Sequence, residues 1–109
     1  MKNKIQKVLL ELGITPNLKG FNYIRRMVEI VKADELNKKS VFGIYEEIAR
    51  EYKTTASCVE RAIRHAISKA DKESDAWEKY VGLKDVKNSK VVYTLALNIT
   101  EEEINEQID

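Results

Sequence analysis

Residues 44–70 have the sequence IYEEIAREYKTTASCVERAIRHAISKA, in which two helical patterns are separated by three residues. In the first pattern, apolar residues recur at i, i+4 and i+8, which predicts a helix over residues 44–52. The second pattern predicts a helix over residues 56–72. The junction at residues 53–55 is too short for an extended loop, so the helices must turn sharply against each other. The stretch therefore predicts a helix-turn-helix over residues 44–72.

The second predicted helix has two distinct faces when its residues are placed at intervals of 100°. One face is entirely apolar and consists of Ala56, Val59, Ala62, Ile63, Ala66, Ile67 and Ala70. The opposite face is polar and consists of Ser57, Glu60, Arg61, Arg64, His65 and Ser68. We expect the apolar face to pack in the core and the polar face to be exposed.

The side chains of this polar face are of the types that contact DNA bases in the major groove. Arginine donates two hydrogen bonds to guanine, glutamate accepts one from cytosine, and serine contacts phosphates or bases. Glu60 favours base contact, because a face that bound only phosphates would gain nothing from an acidic group. The predicted DNA-contacting residues are Lys53, Thr55, Ser57, Glu60, Arg61, Arg64 and His65. The alternative is a solvated face on which Glu60 and Arg64 simply form an i, i+4 ion pair.

The junction between the two helices has an unusual residue. Lys53 occupies a turn position at which such motifs commonly have glycine. A lysine there requires either a left-handed backbone conformation or a slightly different turn. A threonine of the same junction is expected to cap the helix that follows it.

The rest of the chain is also predicted to be helical, because it is rich in Ala, Leu, Ile, Lys and Glu but has only four glycines and one proline. Apolar spacing predicts helices over residues 5–12, 18–34 and 74–80, with Gly13 ending the first. Residues 36–43 are expected to form a connector with at most one helical turn. The fold is therefore predicted to be an all-α, compact bundle of about six helices in one domain, residues 1–109.

Two arginines and several aromatic residues lie outside the helix-turn-helix face. Arg25 and Arg26 either lie on a solvated face or touch phosphates. The aromatic residues are expected to pack in the core rather than to stack on bases, and they are Tyr23, Tyr45, Tyr52, Trp77 and Tyr80.

The C-terminal segment is less clearly helical. Residues 91–99 would also suit a strand, but a single strand has no partner here, so we predict a helix capped by Asn88 or Ser89. Residues 100–103 have the pattern of a capping box and are expected to open a short helix in an acidic tail, residues 100–109. The last nine residues carry a net charge of −5, which leaves +6 for residues 1–100 of a chain with a formal net charge of +1. This moderate positive charge is consistent with a polyanionic partner.

Membrane and catalytic functions are not predicted. No apolar stretch approaches the roughly 20 residues that span a bilayer, and the N-terminus lacks the features of a signal peptide. The single cysteine cannot form an intramolecular disulfide, which fits a cytoplasmic location. Cys58 and His65 are about 10 Å apart along their helix, too far for a nucleophile–base hydrogen bond. One Cys and one His also leave too few ligands for a metal site, and we expect no cofactor.

The sequence TTASCVERAIRHAI, with IAREY before it and ELGITPNLKGFNYIRRMVEIV near the N-terminus, resembles a known family. It is similar to the C-terminal effector domain of the stage-zero sporulation initiation response regulators, over about residues 5–77. The resemblance implies an all-helical domain that binds a TGNCGAA-type box at sporulation promoters. It implies base contacts by Glu60, Arg61 and Arg64, and positions near the DNA backbone or groove edge for Ser57 and His65.

The resemblance also implies partners and shows two departures. Double-stranded DNA is the expected partner. Two further expected partners are a second copy of the domain, packed head to tail on tandem boxes, and RNA polymerase. Cys58 stands where the family usually has a basic residue, which removes a potential phosphate contact. The chain begins almost directly with the effector domain, so we expect a stand-alone regulator or an excised domain without a receiver domain. The alternative is a protein-interaction module that pairs with or antagonises a full-length regulator.

Overall fold

Six α-helices and no strand make up the part of the chain that the computed structural model describes, residues 2–99, with side chains from residue 4 onward. The helices are α1 (Lys2–Glu11), α2 (Lys19–Ala33), α3 (Val41–Tyr52), α4 (Ala56–Ser68), α5 (Asp75–Tyr80) and α6 (Asn88–Asn98). The predicted all-α fold is confirmed, including a helix rather than a strand near the C-terminus. The predicted acidic helix after residue 99 lies outside the described residues.

The α2 helix lies at the centre of the bundle and packs against α1, α3, α4 and α6, most extensively against α4. Its buried side chains include Phe21, Ile24, Met27, Val28 and Ile30. The radius of gyration, 13.0 Å, is the value expected for a compact chain of about 100 residues. Among the residues described, no polar or charged residue is buried in this core. Apolar packing around α2 therefore stabilises the fold.

Gly20, in the first turn of α2, allows α2 and α4 to approach each other closely. A Cβ atom built on Gly20 would lie 2.2 Å from the carbonyl oxygen of Ala62 and 2.6 Å from the Cβ of Ala66. Cβ atoms essentially never come this close to other heavy atoms. The position of α4 on the bundle therefore depends on the absence of a side chain at residue 20.

Three predicted helix boundaries were wrong, besides the start of α1, which is Lys2 rather than residue 5. The α3 helix begins at Val41 rather than at residue 44, because the Ser40 hydroxyl accepts a hydrogen bond from the Gly43 N–H at 2.9 Å and caps the helix. The α4 helix ends at Ser68 rather than at residue 72, because its last turn tightens and the N–H of Asp71 then donates to the Leu12 carbonyl at 2.9 Å. The third error concerns the cap of α6.

The residue that precedes α6 is Lys87, and no side chain among the described residues caps this helix. Asn88 and Ser89, the two predicted caps, both lie inside the helix. In contrast, the predicted stop at Gly13 is confirmed. Gly13 has a φ of +90°, and the N–H of Ile14 donates to the Leu9 carbonyl at 2.9 Å, as in a Schellman motif.

Candidate nucleic-acid interface

A three-residue turn, residues 53–55, joins α3 to α4. Lys53 adopts a left-handed conformation with φ 56° and ψ 49°. The N–H of Thr54 donates to the Ala49 carbonyl at 2.9 Å, and the N–H of Lys53 donates to the Arg50 carbonyl at 3.4 Å. These two bonds form a Schellman motif, which ends α3 abruptly. Of the two geometries expected at Lys53, the structure has the left-handed one.

Thr55 caps α4, as predicted for a threonine of the junction. Its hydroxyl oxygen accepts a hydrogen bond from the Cys58 N–H at 3.1 Å, and its carbonyl accepts one from the Val59 N–H at 3.0 Å. The first bond satisfies an N–H group of the first helical turn that otherwise has no partner within the helix, and the second is the first regular bond of the helix. The first turn of α4, where several predicted contact residues lie, is therefore held rigidly.

The burial of some α4 side chains and the exposure of others agree with the two predicted faces of this helix. Four of the seven residues of the predicted apolar face are buried, with exposed fractions between 0% and 4%, and they are Val59, Ile63, Ala66 and Ile67. The three alanines Ala56, Ala62 and Ala70 are partly exposed. The exposed side chains are Ser57, Cys58, Arg61, Arg64, His65 and Ser68, and Glu60 is partly exposed. The predicted contact residues of α4 therefore lie together on one solvent-accessible face, next to the exposed side chains of Lys53 and Thr55.

Both arginines of this face make only local contacts with α4 among the described residues. The Arg64 guanidinium lies 3.2 Å from a carboxylate oxygen of Glu60. The Arg61 Nε donates to the Ser57 carbonyl at 3.4 Å, and its Nη2 lies 3.7 Å from the Cys58 sulfur. An exposed ion pair such as that of Arg64 contributes only about 0–1 kcal/mol, and the two Arg61 contacts are long, so a ligand can displace all of these contacts at little cost. Both guanidinium groups are therefore available for binding.

Arg25 and Arg26, by contrast, are held by acidic side chains within the bundle. Arg26 donates two hydrogen bonds to Glu51 of α3, at 2.8 and 2.9 Å. This pairing raises the pKa of Arg26 and lowers the pKa of Glu51. Arg25 contacts Glu29 at 3.2 Å and the Tyr52 hydroxyl at 3.3 Å. Arg25 and Arg26 therefore stabilise the contact between α2 and α3. This role differs from both interpretations of the sequence, a solvated face and contact with phosphates.

The aromatic residues predicted to pack in the core do so to different extents. Tyr45, Trp77 and Tyr80 are buried, with exposed fractions of 8% or less. Tyr52 is 39% exposed and packs edge-to-face on Tyr23, with ring centroids 5.0 Å apart. Burial, followed by the charge of Glu60, raises the pKa of Tyr45, so its hydroxyl is protonated at neutral pH.

Cys58 is exposed on the polar face near the start of α4. Hydrogen bonds from the hydroxyls of Thr55 and Thr54 to its sulfur lower the pKa of the thiol to about 7, and the Arg61 guanidinium contributes further. A large fraction of this thiol is therefore ionised at neutral pH. Among the described residues, no three His, Cys, Asp or Glu side chains lie close enough together to hold a metal ion.

We expect iodoacetamide to alkylate Cys58 with a rate that rises to half its maximum near pH 7, because the thiolate is the reactive form. The measurement is the alkylation rate by mass spectrometry across a pH series. The matched variants are Thr55→Ser, which keeps the hydroxyl and the midpoint, and Thr55→Val, which moves the midpoint towards higher pH. A midpoint at the ordinary thiol value of about 8.5 in the wild type would contradict the assignment.

One residue beside this face was missed by sequence reasoning. Phe42 lies in the first turn of α3, is 62% exposed, and lines a groove together with Ser57, Glu60 and Arg61. The sequence analysis placed it in a connector. The signal that could have found it is Ser40, whose capping role puts Phe42 and Tyr45 one turn apart on the same side of α3.

The family described as "Sporulation initiation factor Spo0A C terminal" matches residues 5–99 of the chain. The chain belongs to this family. The match extends beyond residue 77, where the resemblance seen in the sequence ended, and includes α5 and α6. The Spo0A C-terminal family is the DNA-binding effector domain of the sporulation initiation factor, so the exposed face of α4 belongs to a DNA-binding regulatory domain. No helix within residues 2–99 is both long and apolar enough to cross a membrane.

Proposed function

We propose that the chain is a sequence-specific transcription regulator in which α3 and α4 form a helix-turn-helix. In this proposal α4 is the recognition helix and lies in the major groove of a TGNCGAA-like box. The observation that carries the proposal is the exposed face of α4, on which Arg61 and Arg64 contact, among residues 4–99, only groups of the same helix. Side chains so placed can exchange weak internal contacts for hydrogen bonds to base edges.

The proposed contacts divide into two groups. Glu60, Arg61 and Arg64 contact bases in this proposal. Glu60 and Arg61 lie in the N-terminal half of α4, the part of a recognition helix that enters the groove, and Arg64 follows one turn after Glu60. The remaining proposed contacts are with the DNA backbone or groove edge, and they are Lys53, Thr55, Ser57 and His65. Two copies are proposed to bind tandem boxes head to tail, and RNA polymerase is a further proposed partner.

The test is a titration of labelled duplex carrying a TGNCGAA box against a duplex of scrambled sequence, at about 0.15 M salt. We expect tighter binding to the box, and a steep loss of affinity for both duplexes as salt increases. Equal affinity for the two duplexes, or no binding to either, would contradict sequence-specific recognition.

The alternative function, a module that pairs with or antagonises a full-length regulator, is supported by one observation. Cys58 is exposed on the proposed DNA-binding face, at a position where a basic residue would add a phosphate contact. The substitution Cys58→Arg places a basic side chain at this position and distinguishes the two functions. The variant binds the box more tightly if α4 contacts DNA, and binds no duplex if the face serves only a protein partner.

A further inference from the structure

An open groove of about 520 Å³ lies between the first turn of α3 and the N-terminal half of α4. Its lining consists of Phe42, Tyr45, Ala56, Ser57, Glu60 and Arg61. Three of these residues are apolar or aromatic, and the other three are proposed DNA contacts. The groove is therefore continuous with the proposed DNA-binding face rather than separate from it.

Phe42 is the most exposed apolar part of this groove. Its side chain is 62% exposed, although its backbone lies in a helical turn that the Ser40 cap holds in place. Single exposed apolar residues are common on protein surfaces, and Leu36 and Leu97 are exposed to a similar extent elsewhere. Phe42 differs from these two leucines because Ser57 and Arg61 line the same groove.

The chemistry of the groove favours an uncharged, apolar group. The side chains of Phe42 and Ala56 consist only of carbon and hydrogen, and Tyr45 is largely buried with a protonated hydroxyl. Glu60 and Arg61 carry opposite charges, so the groove lining has no net charge that would favour a phosphate. The major groove of DNA offers one apolar group that fits these requirements, the C5-methyl group of thymine, and phenylalanine and alanine both contact this group in known complexes.

We propose that Phe42, together with Tyr45 and Ala56, contacts the C5-methyl group of a thymine next to the bases that Glu60 and Arg61 contact. Phe42 then acts as a specificity determinant outside the recognition helix itself. This inference rests on the proposed function, because it requires α4 to lie in the major groove. It assigns to α3 a direct role in selecting the DNA sequence.

The test uses a duplex with the TGNCGAA box in which each thymine of the box and its flanks is replaced in turn by deoxyuridine. Deoxyuridine lacks the methyl group but keeps every base-pairing group, so the change removes only the proposed contact. We expect one such replacement to weaken binding of the wild type about three- to fivefold, as for the loss of one buried methyl group. Phe42→Ala is expected to bind the parent and the substituted duplex equally.

The matched control is Leu36→Ala, which removes an apolar side chain of similar exposure that does not line the groove. This variant should keep the full response to deoxyuridine, and circular dichroism should show that both variants are folded. If the box binds specifically but no replacement affects the wild type, the methyl contact is wrong and the proposed function stands. If Phe42→Ala weakens binding but keeps the deoxyuridine response, Phe42 contacts another part of DNA and the inference is overturned. If the box and a scrambled duplex bind alike, the proposed function fails and this inference fails with it.

Discussion

Gly20→Ala is expected to destabilise the protein by about 3 kcal/mol, near the upper end of the usual cost of overpacking a core. The added Cβ would lie 2.2 Å from the backbone carbonyl of Ala62, which cannot move unless α2 or α4 shifts. The higher helix propensity of alanine offsets at most about 1 kcal/mol of this cost. Urea denaturation measures the effect, and the fluorescence of Trp77, the single tryptophan and 2% exposed, reports the unfolding.

Gly43→Ala is the matched control, because Gly43 also lies in the first turn of a helix. Within the described part of the chain, its added Cβ would meet only the Ser40 hydroxyl, at 3.0 Å, and this side chain can adjust. We expect a change in the free energy of unfolding of less than about 1 kcal/mol. Equal losses in the two variants would mean that glycine replacement in general, and not the contact between α2 and α4, causes the effect. A Gly20→Ala protein as stable as the wild type would contradict the close packing outright.

The role of Gly20 shows what the sequence could not predict. The apolar spacing of α4 is a local pattern, so it correctly predicted that Val59 and Ile63 are buried and that Arg61 and Arg64 are exposed. The contact between Gly20 and the Ala62 carbonyl joins residues that are far apart in sequence. No local periodicity encodes such a contact, because it depends on how the complete helices pack.

The difference between local patterns and long-range contacts also explains why the role of Arg25 and Arg26 was not predicted. A sequence pattern shows that Arg25 and Arg26 are charged, but their environment is set by α3, where Glu51 accepts two hydrogen bonds from Arg26. The start of α3 is a different kind of error. Serine is a common N-cap residue, so Ser40 could have been predicted to begin α3. The predicted connector would then have been shorter, and Phe42 would have been placed on the helix and beside the site.

Arg61→Ala is expected to weaken binding to the TGNCGAA box by about 1–3 kcal/mol, with a much smaller effect on a scrambled duplex. The loss should be specific to binding, because the contacts of Arg61 in the free protein are weak, at 3.4 Å and 3.7 Å to groups of its own helix. Fluorescence anisotropy with both duplexes measures the affinities, and urea denaturation should show nearly unchanged stability. Replacing the contacted guanine with 7-deazaguanine, which lacks the N7 acceptor, should weaken the wild type but not the variant.

Arg61→Lys separates base recognition from charge. Lysine keeps the positive charge but lacks the planar fork that donates two parallel hydrogen bonds to guanine. We therefore expect the lysine variant to bind scrambled DNA as the wild type does, yet to lose part of its preference for the box. If Arg61→Lys matches the wild type on every duplex, Arg61 acts as a point charge on a phosphate. Base selection by α4 would then depend on Glu60 and Arg64, whose mutual contact at 3.2 Å leaves the other donors of the guanidinium and the other carboxylate oxygen able to contact bases.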